Sequence, residues 1–362
     1  MESKERAKQE TVVLIPSLNP DEKLTAYVME LIRIGFRRIL LVDDGSRESC
    51  QDIFESLAKE PEVSVLHHEK NRGKGRALKT GFAYCMEQFG DAVGVVTADS
   101  DGQHSPKDTL AVAEALIEHP EALILGTRNF DEEQVPFKSR YGNKITTIVF
   151  RLLYGKLIHD TQTGLRGIAA KHLPMMTELP GERFEYEIGM LIEASRAEIP
   201  LVEVPIETMY INDNAETHFH PVKDSLKIYG VMFQYFLKYT LSSLGASLID
   251  ILAFWIFSAL VFRGSGEAVP IFLSTIAARV ISSACNFFAN RMVVFKASGN
   301  LTREAAAYYG LVVVQMLCSA GLVYFFTGLL YWEATLVKVL VDTCLFFVSF
   351  QIQHRLIFRK KA

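Results

Sequence analysis

The sequence predicts an α/β domain with a largely parallel sheet, followed by a domain of four membrane-spanning helices. Up to Pro205, short runs rich in valine, leucine and isoleucine alternate with amphipathic stretches. This is the pattern of strands buried on both faces by intervening helices. After Tyr239 the composition shifts to four apolar stretches, about 241–262, 269–289, 306–330 and 335–357. Each approaches the ~20 residues a helix needs to cross a bilayer. Arg291, Lys296 and Arg303 lie between the second and third stretches, and Arg359, Lys360 and Lys361 follow the fourth. The positive-inside tendency assigns both segments, both termini and the N-terminal domain to the cytoplasm.

The elements follow in order. The charged "MESKERAKQE" does not match a signal peptide and leads into the strand "TVVLIPS". A helix over 21–34, a strand in "RILLVDDGS", a helix over 48–59, a strand in "VSVLHH", a helix over 73–89 and a strand in "AVGVVTADS" come next. Ser105-Pro106 reads as a further helix start. "NKITTIVFRLLYGKLI" has apolar residues at helical spacing with Lys144, Arg151 and Lys156 between them. It fits a helix lying on a membrane, or ordinary core packing. "SLKIYGVMFQYFLKY" continues in the same way into the first crossing. The expected organisation is a soluble domain over 1–220, an amphipathic interfacial helix or linker over 221–240, and a membrane domain over 241–362.

Composition excludes some functions. A net charge of -4 argues against a polyanion-binding surface, so nucleic acid is not an expected partner. Five cysteines with no CxxC pair indicate neither a disulfide framework nor a zinc site. His218 and His220 lack the convergent spacing of a zinc site.

Ligands of such sheets bind beyond the carboxyl ends of the strands, where "PSLN", "DDGS" and "ADSDGQ" should converge. Asp99 and Asp101 either cap the following helix or, with Gln103, offer hard oxygen ligands to Mg2+ or Mn2+ carried by a phosphorylated substrate. In "NRGKGRALKTG" glycines and cations open a helix whose amino end favours a phosphate. Lys74 or Arg76 then lies near a diphosphate, or the segment is a solvated basic helix end. Charges interrupt the apolar stretches, among them Asp250, Arg279 and Asp342. Each costs about 2.5–3.5 kcal/mol in the bilayer centre, which requires partners inside the bundle. Two readings stay open, an Asp250–Arg279 pair that fixes helix register, or an Arg279 that attracts a lipid phosphate.

"VLIPSLN", "LVDDGS", "NRGKGRALKTG", "TADSDGQH", "GTRNF" and "DTQTGLRG" resemble, in order and spacing, the family 2 glycosyltransferases that charge polyprenyl phosphates with a sugar. The likeness covers about residues 11–230. "RVISSACNFFANRMVVF" and "SFQIQHRLIF" resemble the four-helix GtrA-like domain. The resemblance implies a glycosyltransferase A-type (Rossmann-like) cytosolic domain followed by a four-helix transmembrane α domain. It also implies inverting, Mg2+- or Mn2+-dependent transfer from a nucleotide sugar, with UDP favoured, to undecaprenyl phosphate at the plasma membrane.

By residue, the resemblance assigns Pro16 and Ser17 as backbone contacts and Asp43 or Asp44 to the uracil or ribose. Asp99, Asp101 and Gln103 go to the metal, and Arg128 and Arg140 to the acceptor phosphate, with a surface ion pair as the alternative for either arginine. Asp160, Gln162, Thr163 and Arg166 fall on the acceptor side or equally build a structural turn, and His218 falls on a loop closing over the diphosphate. Glu185 and Glu187 either read sugar hydroxyls or favour a helix dipole. Many relatives have Glu after the Asn of the first motif, where this chain has Pro20-Asp21. A lipid-linked sugar transporter whose soluble domain only binds or regulates is the alternative. The absence of a "QxxRW"-type motif disfavours a processive polysaccharide synthase. The sugar and any self-association of the membrane domain stay open.

Overall fold

A computed structural model of the 362-residue chain describes residues 2–130, 135, 137–207, 221–261, 268–329 and 331–358. It divides into two compact units, Met1–Met232 and Phe233–Ala362.

The first unit is an α/β fold. Its strands are β1 (Thr11–Ser17), β2 (Ile39–Asp43), β3 (Val63–His67), β4 (Gly94–Thr97), β5 (Leu123–Arg128), β6 (Arg166–Ala169) and β7 (Leu201–Ile206). Its helices are α1 (Glu2–Glu10), α2 (Glu22–Ile34), α3 (Gln51–Leu57), α4 (Lys74–Gln88), α5 (Pro106–Glu118), α6 (Phe137–Tyr154), α7 (Leu173–Thr177) and α8 (Glu185–Arg196). The strands form one sheet in the order β3-β2-β1-β4-β6-β5-β7. The sheet is parallel except at β6, which runs antiparallel between β4 and β5. All seven residues of β1 are buried, as expected of a central strand covered on both faces. Val13 and Ile15 of β1 and Ile39 and Leu41 of β2 pack with Val28, Leu31, Phe54 and Val112 of the covering helices into one core.

Local chemistry sets the helix ends. Asp21 caps α2 by accepting the Lys23 N–H, and Gly35, at φ 108°, ends it in the left-handed region. The acid that follows Asn19 is therefore a helix cap. Ser105 caps α5 by accepting the Asp108 N–H, and Pro106 occupies its first turn. That cap comes from Ser105, so Asp99 and Asp101 are not spent on starting α5.

Four helical segments, the first beginning within the first unit and the other three in the second, are long and apolar enough to cross a membrane: Asp224–Val261, Ile271–Val294, Leu301–Gly328 and Ala334–Ile357. The first is continuous with the expected interfacial segment 221–240, because α9 runs unbroken from Pro221 to Ile256. The others are α10 (Ala268–Ala289), α11 (Leu301–Tyr324) and α12 (Ala334–Ile352), and each of the four loosens into a π-helical turn at its carboxyl end. Tyr239, Phe295, Phe346, Phe350 and Phe358 pack against one another within the second unit. A buried polar layer joins them: Asn290 donates to Gln353, which donates in turn to Ser349 and the Tyr239 hydroxyl.

Candidate active site

The carboxyl ends of β1, β2 and β4 adjoin in the sheet, so the polar clusters that follow them meet. Asn19, at φ 50°, ties the first two together: its N–H donates to Ser46 Oγ and its Oδ1 accepts the Arg47 N–H. Asp43 accepts the Ser46 N–H at 2.8 Å, Gln51 Nε2 at 3.1 Å and is paired with His67 Nδ1 at 3.0 Å. Burial pushes its carboxyl up, but these hydrogen bonds outweigh that and hold it below the usual range. Asp44 accepts the Arg72 and Gly73 N–H groups at 3.0 and 2.7 Å and meets His68 Nδ1 at 2.7 Å. Both acids are buried, and their main contacts hold the chain's own loops together. Ser17 Oγ, at the end of β1, is buried without a hydrogen-bond partner among the described residues.

After β4 come Asp99 and Asp101. Asp99 Oδ1 is 2.7 Å from Lys74 Nζ, and its Oδ2 is 3.4 Å from His104 Nε2. Burial pushes the Asp99 carboxyl up, but the Lys74 ammonium and His104 overcome it and hold it far below the ordinary range. Asp101 goes the other way, raised by burial and then by the charge of Asp99. Its Oδ1 accepts the Gln103 N–H at 3.0 Å. Two carboxylates that repel each other in this way suit a divalent cation.

The glycine-rich segment has a different basis from the expected one. Gly73, at φ 102°, and Gly75 pack so closely on 182–186 that an added Cβ would lie 2.3 Å from Glu182 O and 2.6 Å from Tyr186 Cβ respectively. These glycines admit a neighbouring segment of the chain. Arg76 is bidentate to Glu182 at 2.6 Å through both nitrogens, and Lys79 reaches the same carboxylate at 3.2 Å. Lys74 bridges Asp99 and Glu187, the latter at 3.0 Å. Glu187, from the first turn of α8, thus stands in the site, whereas Glu185 accepts the Glu182 and Arg183 N–H groups at the helix start.

The loop before β6 also reaches Asp99. Gly164 abuts Asp99, and a Cβ built there would lie 2.3 Å from Asp99 Oδ2. Thr97 Oγ1 donates to Gly164 O at 2.8 Å and pins that approach. Four residues upstream, Asp160, fully buried, receives Arg128 through Nε at 2.6 Å and Nη2 at 3.1 Å. It also accepts the Gln162 N–H at 3.0 Å. The guanidinium and carboxylate assigned separately to the acceptor therefore form one unit. Thr163 is buried and turns the loop, its carbonyl accepting Arg166 Nε at 2.9 Å. Arg166 is buried, donates through Nη1 to Glu187 O at 2.6 Å, and so supports the acid beside Lys74. Asn143 on α6 holds the His159 carbonyl and the Thr161 N–H. Arg140 lies one turn earlier on the same side of that helix.

Comparison with known proteins places the two halves of the chain in families. The family model described as glycosyl transferase family 2 matches residues 12–173, and the one described as GtrA/DPMS, transmembrane domain, matches 238–358. An uncharacterized protein of Methanocaldococcus jannaschii is 32% identical over 209 residues, covering 56% of this chain and 83% of that protein. The chain belongs to glycosyltransferase family 2. The UDP-N-acetylglucosamine–dolichyl-phosphate N-acetylglucosaminyltransferase of Methanococcus voltae is 29% identical over 215 residues, 55% of this chain and 85% of the relative. Glucosyl-3-phosphoglycerate synthase of Mycobacterium tuberculosis, crystallised with Mg2+ and UDP, superposes at a TM-score of 0.49 with 16% identity, covering 64% and 82% of the two chains.

In this glycosyltransferase, no group of three or more His, Cys, Asp or Glu side chains is placed to hold a metal ion among the described residues. The donor set still fits Mg2+ or Mn2+ that arrives with a diphosphate, since such ions complete their shells with phosphate oxygens and water. His218 lies outside the described residues. The enzyme is a membrane protein by its four apolar helices and its GtrA/DPMS domain. Within that domain Arg279 Nη2 is 3.4 Å from Asp250 Oδ2, and Ser282 donates to Asp250 at 2.7 Å. Asp342 pairs with Lys338 at 2.8 Å and accepts from Ser319 at 2.6 Å. Sequence reasoning passed over Lys338, although its spacing of one turn from Asp342 is the signal for such a pair.

Proposed function

We propose that the enzyme transfers a monosaccharide, with inversion, from a nucleotide sugar, UDP-linked by preference, to polyprenyl phosphate at the cytoplasmic face of the membrane. The observation that carries this is the meeting of Asp99 with Gly164, which sets the acid pair beside the segment bearing the Arg128–Asp160 unit. The nucleotide would lie across the ends of β1 and β2, where the unpartnered Ser17 hydroxyl offers a hydrogen bond. Asp99 and Asp101, with Gln103, would hold Mg2+ or Mn2+. Bound there, the ion supplies charge stabilisation to the departing diphosphate.

The acceptor phosphate is ionised at neutral pH, so the chain needs no strong general base. Arg128 and Arg140 orient that phosphate, and Asp160 fixes the Arg128 guanidinium in one plane for it. Direct attack by the phosphate oxygen inverts the anomeric carbon. The lipid setting is supported by α6, whose Asn143, Thr146, Phe150 and Leu153 are buried while Tyr141, Ile145, Ile148 and Leu152 form an exposed apolar stripe. Such a stripe suits a helix lying in a membrane surface. The relative from Methanococcus voltae, named for transfer to dolichyl phosphate, supports the acceptor class. Chelator removal tests the metal: transfer should stop with EDTA and return with Mg2+ or Mn2+, and a chelator-resistant reaction would contradict it.

A further inference from the structure

Lys74 stands where a divalent cation would bind. Its ammonium is 2.7 Å from Asp99 Oδ1, while Asp99 Oδ2 faces His104 and Gly164. An ion arriving at Oδ1 competes there with an ammonium. The other partner of that ammonium, Glu187 Oε1 at 3.0 Å, comes from a different element. Its main-chain carbonyl accepts from Arg166 of β6 rather than from the loop that carries Asp99. We propose that Lys74 is a resident counter-ion displaced from Asp99 by the divalent cation, and that Glu187 is the positioning residue that keeps the displaced ammonium in the crevice. The inference rests on the reading of Asp99 and Asp101 as the cation's carboxylates. Lys74 is shared between two acids, so it leaves one without becoming an unpaired buried charge. Removing Glu187 would fasten it to Asp99 alone.

The test is Mn2+ binding by the full-length protein in detergent, followed by the electron paramagnetic resonance of free Mn2+ with no donor or acceptor present. Lys74→Met combined with Glu187→Gln keeps the net charge of the site. It should bind Mn2+ about tenfold more tightly than wild type, because one charged hydrogen bond no longer has to be surrendered. Glu187→Gln alone should bind more weakly, and Glu187→Asp should restore most of the affinity. Lys74→Arg, which keeps the charge but grips both acids through a guanidinium fork, should also weaken binding and covers the case of a misfolded double variant. Wild-type affinity in the double variant, or in Lys74→Arg, would show that net charge alone governs the site and would overturn the proposal. Wild-type Mn2+ binding that is unaffected by Asp101→Asn would instead overturn the metal reading itself.

Discussion

Replacing Gly164 by alanine should disable the enzyme without unfolding it. The new Cβ would lie 2.3 Å from Asp99 Oδ2, 2.7 Å from its Cγ and 2.8 Å from Oδ1, against an ordinary contact of 3.4–4 Å. Something must yield by about 1 Å. The Gly164 backbone is pinned by Thr97 Oγ1, so the carboxylate is what moves. A displacement of about 1 Å at a reacting site costs about 10²-fold in rate. Overpacking of this kind typically costs about 1–3 kcal/mol of stability. Sugar transfer to lipid phosphate at saturating Mg2+, read beside thermal unfolding, separates the two effects. Gly189→Ala is the control: its Cβ would meet nothing nearer than Pro180 O at 4.0 Å. Its activity should be unchanged and its stability higher by up to about 1 kcal/mol. A Gly164→Ala enzyme with wild-type rate and metal requirement would refute the role given to this contact.

Arg128→Ala should depress transfer far more than nucleotide binding, and should also destabilise the fold by about 3–5 kcal/mol, because it strands the buried Asp160 carboxylate. A parallel fall in nucleotide affinity would move Arg128 to the donor side. For Asp43, the native carboxyl lies below its unfolded value, so the unfolded chain takes up protons first as pH falls. Its stabilisation is full above about pH 4 and is lost as pH drops through the native value. The unfolding temperatures of wild type and Asp43→Asn should thus converge as the pH falls from neutrality through that range, and a constant gap would contradict the assignment. Arg279→Leu should lower thermal stability in detergent by leaving Asp250 without its ionic partner, and Asp250→Asn in the same chain should recover most of it. Loss that the second change does not repair would mean Arg279 does more than pair.

Strands β1–β4, and the meeting of the polar loops that follow β1, β2 and β4, were legible because buried strands are apolar runs and ligand loops follow their carboxyl ends. The antiparallel β6 was not, since four residues, Arg166–Ala169, carry no signal of direction. Nor was α1, whose nine residues are nearly all charged or polar. Its one buried residue, Ala7, and the Arg6–Glu10 pair explain it only once the fold is known. At the site, residue types were readable but partners were not. The Arg128–Asp160, Arg76–Glu182 and Lys74–Glu187 pairs join residues far apart in the chain. Gly73 and Gly75 looked like phosphate-loop glycines, whereas the contacts that require them, like that of Gly164 with Asp99, are tertiary.

If Asp99 and Asp101 serve a site that joins a sugar to a lipid phosphate, the purified protein must make that product. The most direct measurement incubates the purified protein with a panel of nucleotide sugars, undecaprenyl phosphate and Mg2+, and seeks the sugar–phosphate–lipid product by mass spectrometry, with Asp101→Asn alongside. The account predicts product from the wild type with at least one donor and none from a folded Asp101→Asn protein. Equal product from both would contradict it.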